Sequence, residues 1–182
     1  MKKLIVFEWI TLDGIFDADT MNDWFIPYHS DARANYIQQM INNSDSLLYG
    51  RETYQMLYPY WSSLKNNEMG VAEKLNNAPK YVVSSSLKKA EWKNSTIIKG
   101  NIIDEIKKLK QQQGSYILLQ GSAHLADLLA ANDMVDEFHF LVQPHVAGEG
   151  KRFFKKGMQR ELHLQSSESL DKGVLKLVYR AS

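Results

Sequence analysis

Cysteine is absent from all 182 residues, so the chain has no disulfide, no thiolate nucleophile and no thiolate metal site. Excess charge is missing too: 22 Lys and Arg stand against 21 Asp and Glu, a formal net charge of +1, which recruits neither nucleic acid nor an anionic membrane. No apolar run approaches the length of a membrane-spanning helix. The N-terminal run Leu4-Ile5-Val6-Phe7 is cut by Glu8, and no small-residue cleavage site follows. It reads as a first core strand, and the cytoplasm is the expected compartment. There is no internal repeat, no low-complexity tract and no linker. At 21.0 kDa, with 44% hydrophobic and 24% charged residues, residues 1–182 are expected to form one domain with a sizeable core. No nucleophile-base pair suggests covalent catalysis. His139, His145 and Glu137 lack a metal-ligand spacing, and no metal is expected.

What is present is alternation. Runs rich in branched or aromatic residues at 3–10, 45–49, 80–84, 95–99, 115–120 and 136–143 read as strands. Helical patterns lie between most of them, at 30–42, 51–57, 70–77, 101–112 and 122–131. The expected class is therefore α/β, with a mostly parallel central sheet covered by helices on both faces. Residues 161–170 and 173–180 instead alternate apolar with polar around Asp171-Lys172-Gly173, which predicts an antiparallel hairpin at one edge. Residues 11–29 and 58–69 read as long loops.

Two strand-turn-helix junctions carry the chemistry. In the first, Tyr116 to Leu119 lead into Gln120-Gly121-Ser122-Ala123 and an amphipathic helix. Glycine lets a ligand approach the backbone, Ser122 can cap the helix, and the first-turn N–H groups favour an anion. In the second, Leu47-Leu48-Tyr49 precede Gly50, with Arg51 and Thr53 on the opening turn of the next helix. The Arg fork takes two phosphate oxygens at once, as a phosphorylated ribose requires. A dinucleotide carrying a pyrophosphate and a 2′-phosphate would occupy both turns, and that ligand is NADPH. The plainer alternatives are an ordinary helix start and an exposed surface Arg.

Taken in order, Thr11-Leu12-Asp13-Gly14, Gly50-Arg51-Glu52-Thr53-Tyr54, Lys80 to Ser86, Gly121-Ser122, Met134 to Phe138 and Pro144 to Phe154 resemble the dihydrofolate reductase-like superfamily. The branch resembled is the C-terminal reductase domain of bacterial riboflavin biosynthesis, a three-layer fold. The resemblance implies that Gly14, Gly50, Arg51, Thr53, Ser84, Ser85, Ser86, Gly121, Ser122 and Ala123 meet the cofactor. It implies that Asp13, Trp24 and Arg33 meet the substrate, with Arg33 gripping a phosphoribosyl group. Asp13 also reads as a turn residue that stabilises its own loop.

The sequence departs from the pattern in two places. Gly-Ser stands where dihydrofolate reductases carry Gly-Gly, and Ala32-Arg33 lies two residues further from Trp24 than in the riboflavin reductases. Asp31, at the place of the pterin-holding carboxylate, is offset by a similar amount. The resemblance implies an NADPH-dependent reductase that transfers hydride to a C=N or C=O carbon of a small heterocyclic or ribosylaminopyrimidine-like substrate, working as a homodimer. Positioning suffices for such chemistry, so no catalytic acid or base is assigned. The chain lacks the zinc-ligating cysteines of an attached deaminase. The rival readings are dihydrofolate reduction and a non-catalytic dinucleotide-binding protein.

Overall fold

The computed structural model describes residues 1–155, 157 and 159–181. In chain order the elements are β1 (Lys3–Thr11), α1 (Met21–Trp24), α2 (Asp31–Asn42), β2 (Ser46–Gly50), α3 (Arg51–Ser63), α4 (Ala72–Asn77), β3 (Lys80–Val83) and β4 (Ser95–Ile98). There follow α5 (Ile102–Gln111), β5 (Tyr116–Leu119), α6 (Ala123–Ala131), β6 (Glu137–Gln143), β7 (Leu162–Ser169) and β8 (Leu175–Ala181). One eight-stranded sheet runs in the order β4-β3-β2-β5-β1-β6-β8-β7. The first six strands of that order pair in parallel, and the β7–β8 hairpin adds antiparallel to β6.

Period-two alternation divides the core into two layers of side chains. Leu4, Val6 and Ile10 of β1 pack with Ile106 and Leu109 of α5 and Leu125 and Leu129 of α6. Ile5 and Phe7 point the other way, to Met40 and Ile41 of α2, Tyr54 of α3 and Leu75 of α4. Burial on both faces is what a parallel sheet between two helical layers requires, and it explains the near-continuous apolar composition of β1, β2 and β5. Local signals start the helices. Ser30 accepts from Arg33 N at 3.3 Å to cap α2, and Asn101 accepts from Asp104 N to cap α5, which carries Asp104 and Glu105 in its first turn and Lys108 and Lys110 in its last.

Two segments expected as loops are ordered instead. α3 continues past residue 57 to Ser63, through Pro59, because Tyr54, Tyr58 and Trp61 extend its buried stripe at helical spacing. Tyr54 and Tyr58 stack with ring centroids 6.0 Å apart, and Tyr58 lies 6.2 Å from Trp92. Within residues 11–29 two 3-10 turns flank the single turn of α1, pinned by the buried Trp24 indole. The exposed edge strand β7 is interrupted by a register shift between Leu164 and Ser166, which blunts an otherwise open sheet edge.

Candidate functional site

A cleft opens where β1 and β5 part. β1 pairs with β5 only as far as Val6 with Leu119, then continues along β6 to Thr11 with Gln143. From Phe7 onward one edge of β1 has lost its partner strand, and a cavity of about 970 Å³ lies there at the C-terminal ends of the parallel strands. This is where open α/β sheets place ligands.

The two glycine turns close on each other at this point. A Cβ on Gly50 would lie 2.6 Å from both Cβ and Oγ of Ser122. A Cβ on Gly121 would collide with Thr53 Oγ1 and lie 2.6 Å from Thr53 Cγ2. Each turn therefore uses its glycine to admit a side chain from the opening of the other turn's helix. Gly121 also holds φ +66°, followed by Ser122 at φ +62°, so two left-handed residues reverse the chain before α6. The Ser122 hydroxyl accepts from Leu125 N at 3.2 Å and caps the helix as expected. The N-termini of α3 and α6 thus share one cleft.

The rim is basic. Arg51 lines it, its guanidinium steadied by Gln55 Oε1 at 2.9 Å and Glu52 Oε1 at 3.2 Å. Across the cleft stand Lys151, Arg152 and Lys155. Lys155 Nζ lies 3.1 Å from His124 Nδ1 on the first turn of α6. Lysine can only donate there, so His124 accepts through Nδ1. Deeper in, the walls are aromatic: Phe7, Trp9, Phe16, Trp24 and Trp61. Among them sits one carboxyl group, Glu8, only 6% exposed, with Oε1 free of any hydrogen bond. Burial pushes it up to about 8, and the opposing effect of the Gly121 N–H is too small to restore an ordinary value. The indole N–H of Trp9, on the neighbouring position, is likewise buried and unpartnered.

Of the residues singled out from sequence, Gly50, Arg51, Thr53, Gly121, Ser122, Ala123 and Trp24 line this cavity. The others lie elsewhere. Asp13 latches two loops: its carboxylate accepts from Thr11 Oγ1, from Ala147 N at 3.1 Å and from Gly148 N at 2.8 Å. These bonds, led by the Thr11 hydroxyl, hold it at about 2. Gly14 supplies a positive φ in the same clasp, and its carbonyl accepts from Phe153 N at 3.0 Å. Ser84 accepts from Leu87 N at 2.9 Å and shapes the strand exit, while Ser85 and Ser86 are exposed beyond the cavity lining.

Arg33, expected to grip a phosphoribosyl group, lies outside the cavity lining. It is 2% exposed, donates to Phe25 O at 2.7 Å and Gln143 Oε1 at 3.3 Å, and stacks 3.9 Å over the Phe25 ring. Trp24 reaches the cavity, yet its indole N–H donates to Asp17 O at 3.1 Å and Thr20 Oγ1 at 3.2 Å. It is a wall. Asp31 is exposed on the first turn of α2 and does not line the cavity. His139 is engaged on both ring nitrogens, by Tyr36 Oη at 2.7 Å and Glu137 Oε2 at 2.8 Å.

Sequence reasoning missed Glu8 and the basic residues after Gly150. For Glu8 the signal was available: a charge at the centre of a strand buried on both faces has to be explained by something other than solvation.

Residues 2–176 match the family model of the RibD C-terminal domain. Among curated proteins, the uncharacterised protein YyaP of Bacillus subtilis (strain 168) is 29% identical over 185 residues, covering 98% of this chain and 94% of that one. A candidate riboflavin biosynthesis protein from Shewanella sp. PV-4 superposes with a TM-score of 0.74 at 18% identity over 99% of each chain. A diaminohydroxyphosphoribosylaminopyrimidine deaminase/5-amino-6-(5-phosphoribosylamino)uracil reductase from Thermotoga maritima gives 0.69 at 15% identity. This chain covers 57% of its length.

Proposed function

Because this chain belongs to the RibD C-terminal domain family, we propose that it is a cytoplasmic NADPH-dependent reductase acting on a C=N or C=O group of a small heterocyclic or ribosylaminopyrimidine-like substrate. The observation that carries this reading is the mutual packing of the Gly50 and Gly121 turns, which aims two helix N-termini into one basic-rimmed cleft with an aromatic interior. The space beside each glycine is taken by a side chain of the other turn, and the close approach this permits brings the starts of α3 and α6 to one cavity, an arrangement that suits the two anionic groups of a dinucleotide. Arg51 would take the 2′-phosphate, and the first turn of α6, capped by Ser122, the pyrophosphate. When bound, the dihydronicotinamide supplies the hydride. The chain's own residues do the rest: Phe7, Trp9, Phe16 and Trp24 exclude water, and the parted edge of β1 gives planar groups a wall to lie against.

Two cavity features support a substrate other than folate: Asp31 lies outside the lining, and the buried carboxyl group within it, Glu8, comes from β1. The same reading includes a homodimer formed through the exposed β7–β8 hairpin, where Leu164 and Leu175 face solvent. Of the Phe153-Phe154 pair, Phe153 is absorbed by the chain's own core against Phe16 and Phe140.

The test is oxidation of NADPH on addition of 5-amino-6-(5-phosphoribosylamino)uracil or dihydrofolate, followed by its absorbance. Turnover of the pyrimidine and not of the folate is expected. NADPH binding without reduction of any imine, aldehyde, pyrimidine or folate would favour a non-catalytic dinucleotide-binding protein.

A further inference from the structure

Hydride addition leaves a proton to be supplied, and the cavity holds one group built to supply it. Glu8 stands on β1 two residues beyond the last residue paired with β5, so the open strand edge brings its side chain to the cavity wall. It is 6% exposed, and its Oε1 has no hydrogen-bond partner. The other ionisable residues of the cavity, Asp19, Arg51, Glu52, His124, Lys151, Arg152 and Lys155, are on the exposed or half-exposed rim. Among the described residues none forms an ion pair with Glu8. Opposite it on β6 is Phe140, which offers no charge. A carboxylate in that position would be a buried anion with only the Gly121 N–H to relieve it, so the neutral acid is the stable form at neutral pH.

We infer that Glu8 is the acid of this reductase, handing its proton to the nitrogen or oxygen of the substrate's C=N or C=O group as hydride reaches the carbon. The inference rests on the reductase reading above. The carbon accepts the hydride, the π pair moves to the heteroatom, and the heteroatom takes the Glu8 proton. Substrate gains two electrons, the dihydronicotinamide is oxidised to NADP⁺, and the Glu8 carboxylate recovers a proton from water. A donor poised near the working pH is what general acid catalysis favours. The Gly121 N–H would stabilise the transient carboxylate, which ties the acid to the turn that caps α6.

Two measurements on the full chain test this. The first needs no ligand. Infrared difference spectra between pH 6 and pH 9 should contain the carbonyl stretch of a protonated carboxyl that is lost with a midpoint near 8 and is missing from Glu8→Gln. The second is single-turnover reduction of 5-amino-6-(5-phosphoribosylamino)uracil by NADPH across pH 6–10. The wild-type rate should be level at low pH and fall tenfold per unit above about 8. Glu8→Gln should be slower by roughly 100-fold or more and lack that limb, with NADPH affinity by calorimetry within about threefold. Glu8→Asp, which keeps the acid, serves if the Gln variant folds poorly, and should retain the limb.

Absence of the infrared band, or a Glu8→Gln variant that keeps its rate or its high-pH limb, overturns the acid role and leaves the reductase reading standing. A wild-type protein that binds NADPH but reduces nothing overturns both.

Discussion

Gly121→Ala is the sharpest perturbation of the site, because its cost comes from two separable sources. An L-residue at φ +66° pays about 1–2 kcal/mol for the left-handed conformation. The new methyl would also overlap Thr53 Oγ1 and Cγ2, and relieving such overpacking costs about 1–3 kcal/mol more. The expected loss is about 2–5 kcal/mol. Thr53→Ala removes both clashing atoms and leaves Thr53 Cβ at 3.0 Å, a tight but tolerable contact. The double variant should therefore recover the steric part and retain only the backbone part, a favourable coupling on the order of 1–3 kcal/mol. Equilibrium urea unfolding followed by tryptophan fluorescence measures it, with an unchanged slope confirming that only stability has moved. Strictly additive losses, or a single variant within about 0.5 kcal/mol of wild type, would refute the packing of the two helix starts.

Three further outcomes are expected. Glu8 keeps its proton to about pH 8 when folded and loses it near its ordinary value of 4.5 when unfolded, so the unfolded chain binds fewer protons between these limits and stability falls as pH rises from 4.5 to 8. The loss is at most on the order of 4–5 kcal/mol; Glu8→Gln should flatten this slope in urea midpoints taken at each pH, and an unchanged slope would contradict the burial argument. Arg33→Ala should cost about 3–5 kcal/mol of stability by orphaning the Phe25 carbonyl and emptying a packed site, while NADPH affinity stays within about twofold. A selective loss of ligand binding would return Arg33 to the site. Asp13→Asn should weaken the clasp on Ala147 and Gly148 by about 1 kcal/mol, seen in thermal unfolding near neutral pH, and the difference should shrink below pH 3.8 as Asp13 itself protonates towards its value of about 2.

The fold was legible because its signals are periodic. Near-continuous apolar runs in β1, β2 and β5 report burial on both faces, and alternation in residues 161–180 marks the antiparallel hairpin, although β7 itself is exposed along its length. The glycine turns were legible for a related reason: Gly before a helix start marks close approach, and the approach proved to be between the turns themselves. Side-chain direction was not legible. Arg33 lies on the buried side of α2, where the guanidinium finds Phe25 O and Gln143 before any ligand. Asp13 reads equally as a ligand contact or a loop residue until residues 144–150 are folded beside it. Glu8 was passed over because its meaning depends on β5 stopping at Leu119, which is a fact of pairing and not of composition.

Whether the Gly50-Arg51 and Gly121-Ser122 turns together hold a phosphorylated nicotinamide dinucleotide is decided by calorimetric titration of NADPH and NADH into wild type and Arg51→Ala. Wild type should prefer NADPH by roughly 10- to 150-fold, the worth of about 1.5–3 kcal/mol from charge-assisted contacts to the 2′-phosphate, and Arg51→Ala should bind the two alike. Binding of neither dinucleotide, or equal weakening of both by Arg51→Ala, would contradict that role for the two turns.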